Sequence, residues 1–596
     1  MPSAQRFESV VDLFEKSCKA FGPRELFGVK KDGAWQWLTY AEIKAMVDKA
    51  RGGLAALGVS KGDRVAIISN NRLEWAVLAY ATYSLGAAFV PMYEAQHLEE
   101  WRFIAEDCGA KVLVVATKAI YEKTKGLKEQ LPTLDHLVSL EGGESDESSY
   151  ARLLKVGGGK PVPPVMPAGG DVCNFIYTSG TTGKPKGVIL THDNVASNVS
   201  AVHEIIPFSP DDRSLSFLPW AHSMGHTCEL HCLLSMGASM GLNTSVDKLI
   251  DELAEVKPSV LISVPRIFNR IYDRVNAQME ERPPLIRRIF RDAMAAATKK
   301  NQGKPLTTLE RLELAFADKL IFSKIRGRFG GQLKYAFSGG AALSRDVAEF
   351  IDNLGIVVFE GYGLTETSPI ATGNRPGGRK IGSVGKAIPG VKIVIDTKAA
   401  AGIAGDDKKQ GEVLVYGPNV MKGYHNRDEE NRAVLLDDGG FRTGDLGYID
   451  DEGYLFITGR IKEQYKLENG KYVAPAPLEE HLKLSPFISN VMVHGQNKPY
   501  NVALVVPEKE AVTKFAASEG LSGSYEELLE NERVRTKVKE ELERLGAEFR
   551  AFDKVKKFAL IADDFTVENE MLTPSLKLKR RNVLQKWGEK IEKLYA

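Results

Sequence analysis

Cysteine is scarce in this chain, and long apolar runs are missing. The five cysteines, Cys18, Cys108, Cys173, Cys228 and Cys232, are too few and too scattered for a disulfide framework, so a reducing cytoplasm is the expected setting. No stretch approaches the ~18 consecutive apolar residues of a membrane span. Any contact with a membrane is therefore expected to be peripheral. The opening MPSAQRFESVVDLFEKSCKAF lacks the apolar h-region of a secretory signal and reads instead as an amphipathic helix from Ser9 to about Ala20. An excess of one charge is also absent. The formal net charge is +1, which argues against a dedicated nucleic-acid binder.

What is present is a chain of 596 residues, beyond the usual limit of a single core, so two or more domains are expected. Through the first 140 residues, helical and strand-like patterns alternate. Thr39 stands where its hydroxyl can cap the helix-like AEIKAMVDKARGGLAALG. The runs DRVAIIS, AAFVPMY and AKVLVVA are apolar almost throughout, as in strands buried on both faces of a parallel sheet. Residues 141–171 are rich in Gly, Ser and Pro and read as a surface connection. Strand-like runs return at NFIYTS and VLISVP. Residues 266–328 are helical and basic, with fifteen Lys or Arg against seven Asp or Glu. Strands and Gly-rich turns then follow, and after about Arg460 a segment mixes strands with long charged helices.

The loop from Tyr177 to Gly187, YTSGTTGKPKG, leaves an apolar strand and gathers three kinds of anion-binding group. Its glycines let backbone N–H groups turn inward, its hydroxyls donate hydrogen bonds, and its lysines supply charge. It is not a Walker A loop. Gly180 and Gly183 are only three apart, and Pro185 follows Lys184 where Ser or Thr should stand.

The loop resembles the signature of the adenylate-forming (AMP-binding) superfamily. The strings SGGAAL, GYGLTETSP, FRTGDLGYID, GRIKE and LTPSLKLKR resemble that family's later core motifs and occur in its order. The resemblance implies an α/β fold: a large N-terminal domain of stacked α/β sheets, residues 1–459, and a smaller mobile α+β domain, residues 460–596, with the hinge at 460–462.

It also implies roles. Thr178, Ser179, Gly180, Thr181, Thr182 and Lys186 would cradle the β- and γ-phosphates of ATP. Thr178 and Glu366 would be the magnesium positions, consistent with the hard oxygen ligands Mg²⁺ takes. Gly339, Gly340, Gly361, Tyr362 and Thr365 would line the nucleotide site, with Tyr362 stacked on adenine. Asp445 would accept hydrogen bonds from the ribose hydroxyls, and Arg460 would contact ribose or phosphate. Lys577 would be the adenylation catalyst, a cation that offsets charge as a carboxylate approaches a polyanion. Lys579, two residues on, is the competing candidate. Lys462 matches the hinge, and Gly470 and Lys471 would line a tunnel for coenzyme A.

Among superfamily members, long-chain fatty acyl-CoA synthetases are the most similar. The segment FLPWAHSMGHTCELHC falls where amino-acid-activating relatives carry an aspartate, and its Trp220 and His222 would act as the substrate gate. A fatty acid:CoA ligase working in two steps is implied, with a medium-chain or aryl acid, or delivery to a carrier protein, as alternatives. His222, His226, Cys228, His231 and Cys232 have spacings that permit chelation, but no further Cys or His group completes a zinc pattern. The basic 266–328 segment could rest on anionic lipid headgroups or be a solvated helical face.

Overall fold

The structure, a computed structural model, describes residues 6–178, 184–398, 409–573 and 576–596. Its centre is a seven-stranded sheet. Arg64–Ile68, Ala88–Met92, Val112–Val115, His136–Ser139 and Val172–Thr178 are its parallel members. Lys186–Thr191 and Gly423–Tyr424 extend one edge antiparallel. Every residue of Ala88–Met92 and Val112–Val115 is buried, which is why these strands carry no polar alternation.

A five-stranded sheet lies beside it, with Val260–Ser263, Tyr335–Ser338 and Val358–Gly363 parallel and two short antiparallel strands completing it. Two four-stranded sheets complete the N-terminal part. The antiparallel one ends on Leu455–Arg460. Beyond it, Ile488–His494, Asn501–Pro507 and Val555–Leu560 form a separate three-stranded sheet, flanked by the helices Pro475–Leu482, Glu532–Gly546 and Arg580–Glu592. The mixed α/β class is as expected.

Local signals place several elements. The first helix runs Val10–Phe21, and the Ser9 hydroxyl accepts from the Asp12 N–H at 3.0 Å. Thr39 caps Tyr40–Ala56 in a reciprocal box with Glu42.

One expectation needs correction. Residues 141–171 are not simply a connection, because Tyr150–Gly159 is a helix. Its glycines serve close packing rather than a turn: a Cβ on Gly157 would sit 1.8 Å from the Lys49 carbonyl oxygen, and one on Gly53 would sit 2.4 Å from that of Leu153. Two helices thus meet backbone to backbone.

Candidate active site

The strand Val172–Thr178 and the strand Lys186–Thr191 pair antiparallel, with Thr178 opposite Lys186. The sequence between them is the loop expected to bind phosphate. Ser179, Gly180, Thr181 and Thr182 lie outside the described residues. Its flanks are braced: the Tyr177 hydroxyl donates to Asp107 Oδ2 at 2.7 Å, and Arg427 pairs with the other oxygen at 3.3 Å. Lys186 lies 5.2 Å from the centroid of the Tyr424 ring and 3.5 Å from Glu430.

Glu366 occupies a single helical turn, Thr365–Thr367, straight after Val358–Gly363. The Tyr424 hydroxyl donates to Glu366 Oε1 at 2.7 Å, while the Glu366 carbonyl accepts from the Met421 N–H. Tyr424 therefore touches both Lys186 and Glu366. Nothing local in the sequence marks it, since its place comes from the short strand that seats it opposite Val188. Thr365 shares a 3.2 Å hydrogen bond with Ser223, which ties this turn to the segment carrying His222. Thr178 and Glu366 are oxygen donors, and no group of three or more His, Cys, Asp or Glu side chains among the described residues is placed to hold a metal. That donor set fits magnesium held mainly by phosphates, with one or two protein oxygens.

Tyr362, Asp445 and Arg460 form a chain. The Tyr362 hydroxyl donates to Asp445 Oδ2 and Arg460 Nε donates to Oδ1, each at 2.7 Å. Asp445 and Arg460 face each other across adjacent antiparallel strands. Asp445 is buried, so its charge is matched on both oxygens as a buried carboxylate requires. Attraction to Asp445 outweighs burial and holds the Arg460 guanidinium above its ordinary range. Gly340 adopts φ +82°, left-handed backbone that favours glycine, and a Cβ on Gly339 would sit 3.7 Å from the Gly361 carbonyl oxygen in the strand Val358–Gly363.

Lys577 comes from the C-terminal part. Its side chain is exposed, yet the protein packed round its ammonium lowers its pKa. Burial is the first cause and repulsion from Arg460 the second, with Asp445 and Glu366 opposing. The lysine is therefore within electrostatic reach of Arg460, Asp445 and Glu366. Its backbone is pinned, because the Thr573 N–H donates to the Lys577 carbonyl at 2.8 Å and the Lys577 N–H donates to Thr573 Oγ1 at 3.0 Å. Lys579 instead opens the helix Arg580–Glu592, where Arg580 ion-pairs with Glu479.

His222 is held down to a pKa of about 4 by burial, with Lys577 adding repulsion, so the imidazole is neutral and within electrostatic reach of that lysine. Trp220 lies elsewhere. It is fully buried, 5.5 Å from the Trp75 ring and 5.7 Å from Phe27, a position in the hydrophobic core. Of the two gate residues expected, His222 is the one that borders the site.

Sequence reading also missed what holds this segment. Asn71 donates to the Leu218 carbonyl at 2.7 Å and to Ser216 Oγ at 3.3 Å, and it accepts from the Trp220 N–H at 2.7 Å. Ser216 and Ser214 in turn donate to the two oxygens of Glu229, at 2.6 and 2.8 Å. Glu229 is fully buried in a π-helical turn, Met224–His231, and burial raises its pKa to about 7.

The histidines beside it are structural. Tyr83 bonds His226 at 2.9 Å, Tyr80 bonds His231 at 2.7 Å, and the two rings meet at 3.2 Å. Burial lowers the pKa of both imidazoles, His226 to about 3.

Lys462 is exposed in the turn Ile461–Glu463, directly after the strand that ends at Arg460. Gly470 and Lys471 form an exposed hairpin whose contacts are Leu467, Asn469 and Phe552. The hairpin lies among C-terminal residues, not beside Lys577.

Comparison with known proteins places the arrangement. The AMP-binding enzyme family matches residues 14–425, and the AMP-binding enzyme C-terminal domain matches 462–596. The chain belongs to the AMP-binding enzyme family. The peroxisomal long chain acyl-CoA synthetase 7 of Arabidopsis thaliana is 32% identical, covering 100% of this chain and 87% of the relative. A long-chain-fatty-acid–CoA ligase of Mycobacterium tuberculosis is 33% identical over 95% of this chain and 93% of its own. In fold, the adenylation domain of a carboxylate reductase from Mycobacterium chelonae superposes with TM-score 0.80 at 22% identity, covering 98% of this chain and 91% of that one. The anthranilate CoA ligase AuaEII, in complex with anthranoyl-AMP, superposes with TM-score 0.73 at 19% identity, covering 99% of both.

Proposed function

We propose that this protein is an ATP-dependent long-chain fatty acid:CoA ligase. The observation that carries the reading is that Lys577, from the C-terminal part, lies within electrostatic reach of Asp445, Arg460, Glu366 and His222 of the N-terminal part, where Tyr362, Asp445 and Arg460 are joined by hydrogen bonds. Full-length similarity to long-chain acyl-CoA synthetases and ligases supports the substrate class.

In the first step a carboxylate oxygen of the fatty acid attacks the α-phosphorus of ATP. The bond from that phosphorus to the bridging oxygen breaks, and pyrophosphate leaves. Tyr362 and Asp445 hold adenine and ribose. Lys186, Gly180 and the hydroxyls of Thr178, Ser179, Thr181 and Thr182 bind the outer phosphates. Lys577 lowers the repulsion between carboxylate and polyphosphate and balances charge that develops in the transition state. Thr178 and Glu366 are the residues that would hold magnesium, which when bound neutralises phosphate charge.

In the second step the residues after Lys462 rotate as a unit, withdrawing Lys577 and bringing Gly470 and Lys471 to the site. The thiol sulfur of coenzyme A attacks the acyl carbonyl, its proton passes to solvent, and AMP departs. The exposed hairpin at 470–471 fits a structure poised for adenylation. The boundary at 459/460 and the hinge belong to this reading, as does peripheral contact of residues 266–328 with a membrane.

AMP release measured over acids from acetate to arachidate, with and without CoA, tests it. A rise with chain length that depends on CoA is expected. A flat response without CoA dependence would overturn the fatty-acyl reading, and turnover only with an acyl carrier protein would favour that acceptor.

A further inference from the structure

The helix Thr308–Ala317 runs on without a break through the π-helical turn Asp318–Phe322 into Ser323–Gly327. It packs against Pro284–Asn301 as a hairpin. Its inner face is anchored. Ala317 and Phe322 are buried, Phe322 meets Phe290 at 6.0 Å, and Phe290 meets Phe350 at 6.4 Å.

The outer face is different. Leu309 and Leu312 are each 65% exposed, Phe316 is 52% and Leu320 is 44%. Their spacing of three, four and four residues sets them in one stripe opposite the anchored side. Four large apolar side chains in a row on a solvent face are a patch that marks an interaction surface. The charges around it name the partner. Lys319 and Lys324 on the same helix, and Arg287, Arg288 and Arg291 on the other arm, are all exposed; Arg288 and Arg291 share the one carboxylate of Asp292, at 3.5 and 3.3 Å, so the cations stay in excess. An apolar stripe rimmed by cations is the composition of a helix lying in the headgroup region of an anionic bilayer.

We propose that this hairpin is a membrane wedge: Leu309, Leu312, Phe316 and Leu320 enter the acyl boundary of an anionic phospholipid surface, and the flanking Lys and Arg bind headgroup phosphates. The arm Pro284–Asn301 follows Pro265–Glu280, which begins directly after Val264. Val264 would lie 3.9 Å from a Cβ on Gly340, so the wedge is linked to the nucleotide-site layer through packed elements. The proposal deepens the peripheral contact included in the proposed function and rests on that reading only for its biological use.

Its test reads lipid, not catalysis, so ligase activity and wedge can fail separately. The full chain is sedimented with vesicles of phosphatidylcholine alone and of phosphatidylcholine containing one third phosphatidylglycerol. Binding to the anionic vesicles is expected, weakening as salt rises. Leu312→Ser/Phe316→Ser and Lys319→Glu/Lys324→Glu should each reduce bound protein by about tenfold or more. Adenylation of octanoate without vesicles should stay unchanged in both, which shows that they fold. The indole of a Phe316→Trp variant should shift its emission to the blue on anionic vesicles and be quenched by brominated acyl chains. Equal binding by the serine variant, equal binding to neutral vesicles, or an unmoved indole emission overturns the wedge. Light scattering without lipid covers the remaining occupant: a dimer that the serine substitutions split into monomers would make the stripe a subunit interface and would also overturn it.

Discussion

Tyr362 and Asp445 are joined by a 2.7 Å hydrogen bond in which the phenol donates to a carboxylate already gripped by Arg460. The ring proposed to stack on adenine and the carboxylate proposed to bind ribose are therefore one unit. Tyr362→Phe leaves the ring but frees it, and Asp445→Asn leaves Arg460 without its counter-charge. Each is expected to raise the KM for ATP, Asp445→Asn by roughly tenfold or more, since hydrogen bonds to charged groups contribute about 1.5–3 kcal/mol. The double variant should be non-additive, with a coupling of about 0.5–3 kcal/mol. Strict additivity in ATP-binding measurements would show that the bond does not couple the two sites.

Lys577 and Lys579 separate cleanly by experiment. Lys577→Ala should lower acyl-adenylate formation by roughly 10²–10³-fold, the scale of removing one positioned charge-stabilising group. It should largely spare thioester formation from supplied acyl-adenylate. Lys579→Ala should change neither step by more than about threefold, a change of under 1 kcal/mol. Equal loss of both steps in Lys577→Ala would end the assignment. The pKa adds a second signature. Adenylation needs the ammonium, and burial together with Arg460 lowers its pKa. The alkaline limb of kcat/KM, which reports the free enzyme, should therefore fall at a pH below the ~10.4 of free lysine, and Lys577→Arg should move it upward.

Lys462→Pro tests the hinge. Proline fixes φ near −65°, which suits the helical turn Ile461–Glu463 as it stands and resists any dihedral change there. Acyl-adenylate formation should persist while thioester formation drops by about 100-fold, which corresponds to ~2.7 kcal/mol on the second barrier. A stopped-flow measurement of each half-reaction distinguishes them, and an unaffected second step removes the hinge role.

The parts legible in the sequence are those written locally. Val112–Val115 reads as a buried strand because it is apolar without interruption, and Thr39 reads as a cap because its partner Glu42 is three residues away. Adjacent strands bring Asp445 to Arg460, and both lie inside recognisable strings. The helix Tyr150–Gly159 was illegible because glycine marks loops and close packing alike. Only contact with Gly52 and Gly53 distinguishes the two. Tyr424 meets Glu366 across 58 positions of sequence, and Asn71 meets Leu218 across 147. No periodicity carries such pairings. The His and Cys spacings alone could not show what the histidines do instead of chelating: His226 and His231, five apart in a π-helical segment, bond Tyr83 and Tyr80 on the helix Leu73–Tyr83.

Glu229 supplies the last prediction. Its pKa is raised to about 7 by burial, against the two serine hydroxyls that donate to it. A carboxyl raised on folding makes the native state bind more protons than the unfolded chain between the two pKa values. Its stabilising contribution is therefore full below the unfolded value of ~4.3 and is lost as pH rises through about 7. The span amounts to roughly 3–4 kcal/mol at 1.36 kcal/mol per pKa step. Glu229→Gln keeps an acceptor for one serine and has no charge to bury. Its thermal midpoint should trail the wild type at pH 5 and match or exceed it at pH 8, so the two curves cross. Because Ser216 also contacts Asn71, which holds Leu218 and Trp220, the substitution should alter the KM for the fatty acid more than the KM for ATP. Parallel stability curves across that pH range, or equal effects on both KM values, would show that Glu229 neither titrates on folding nor positions the segment that carries His222.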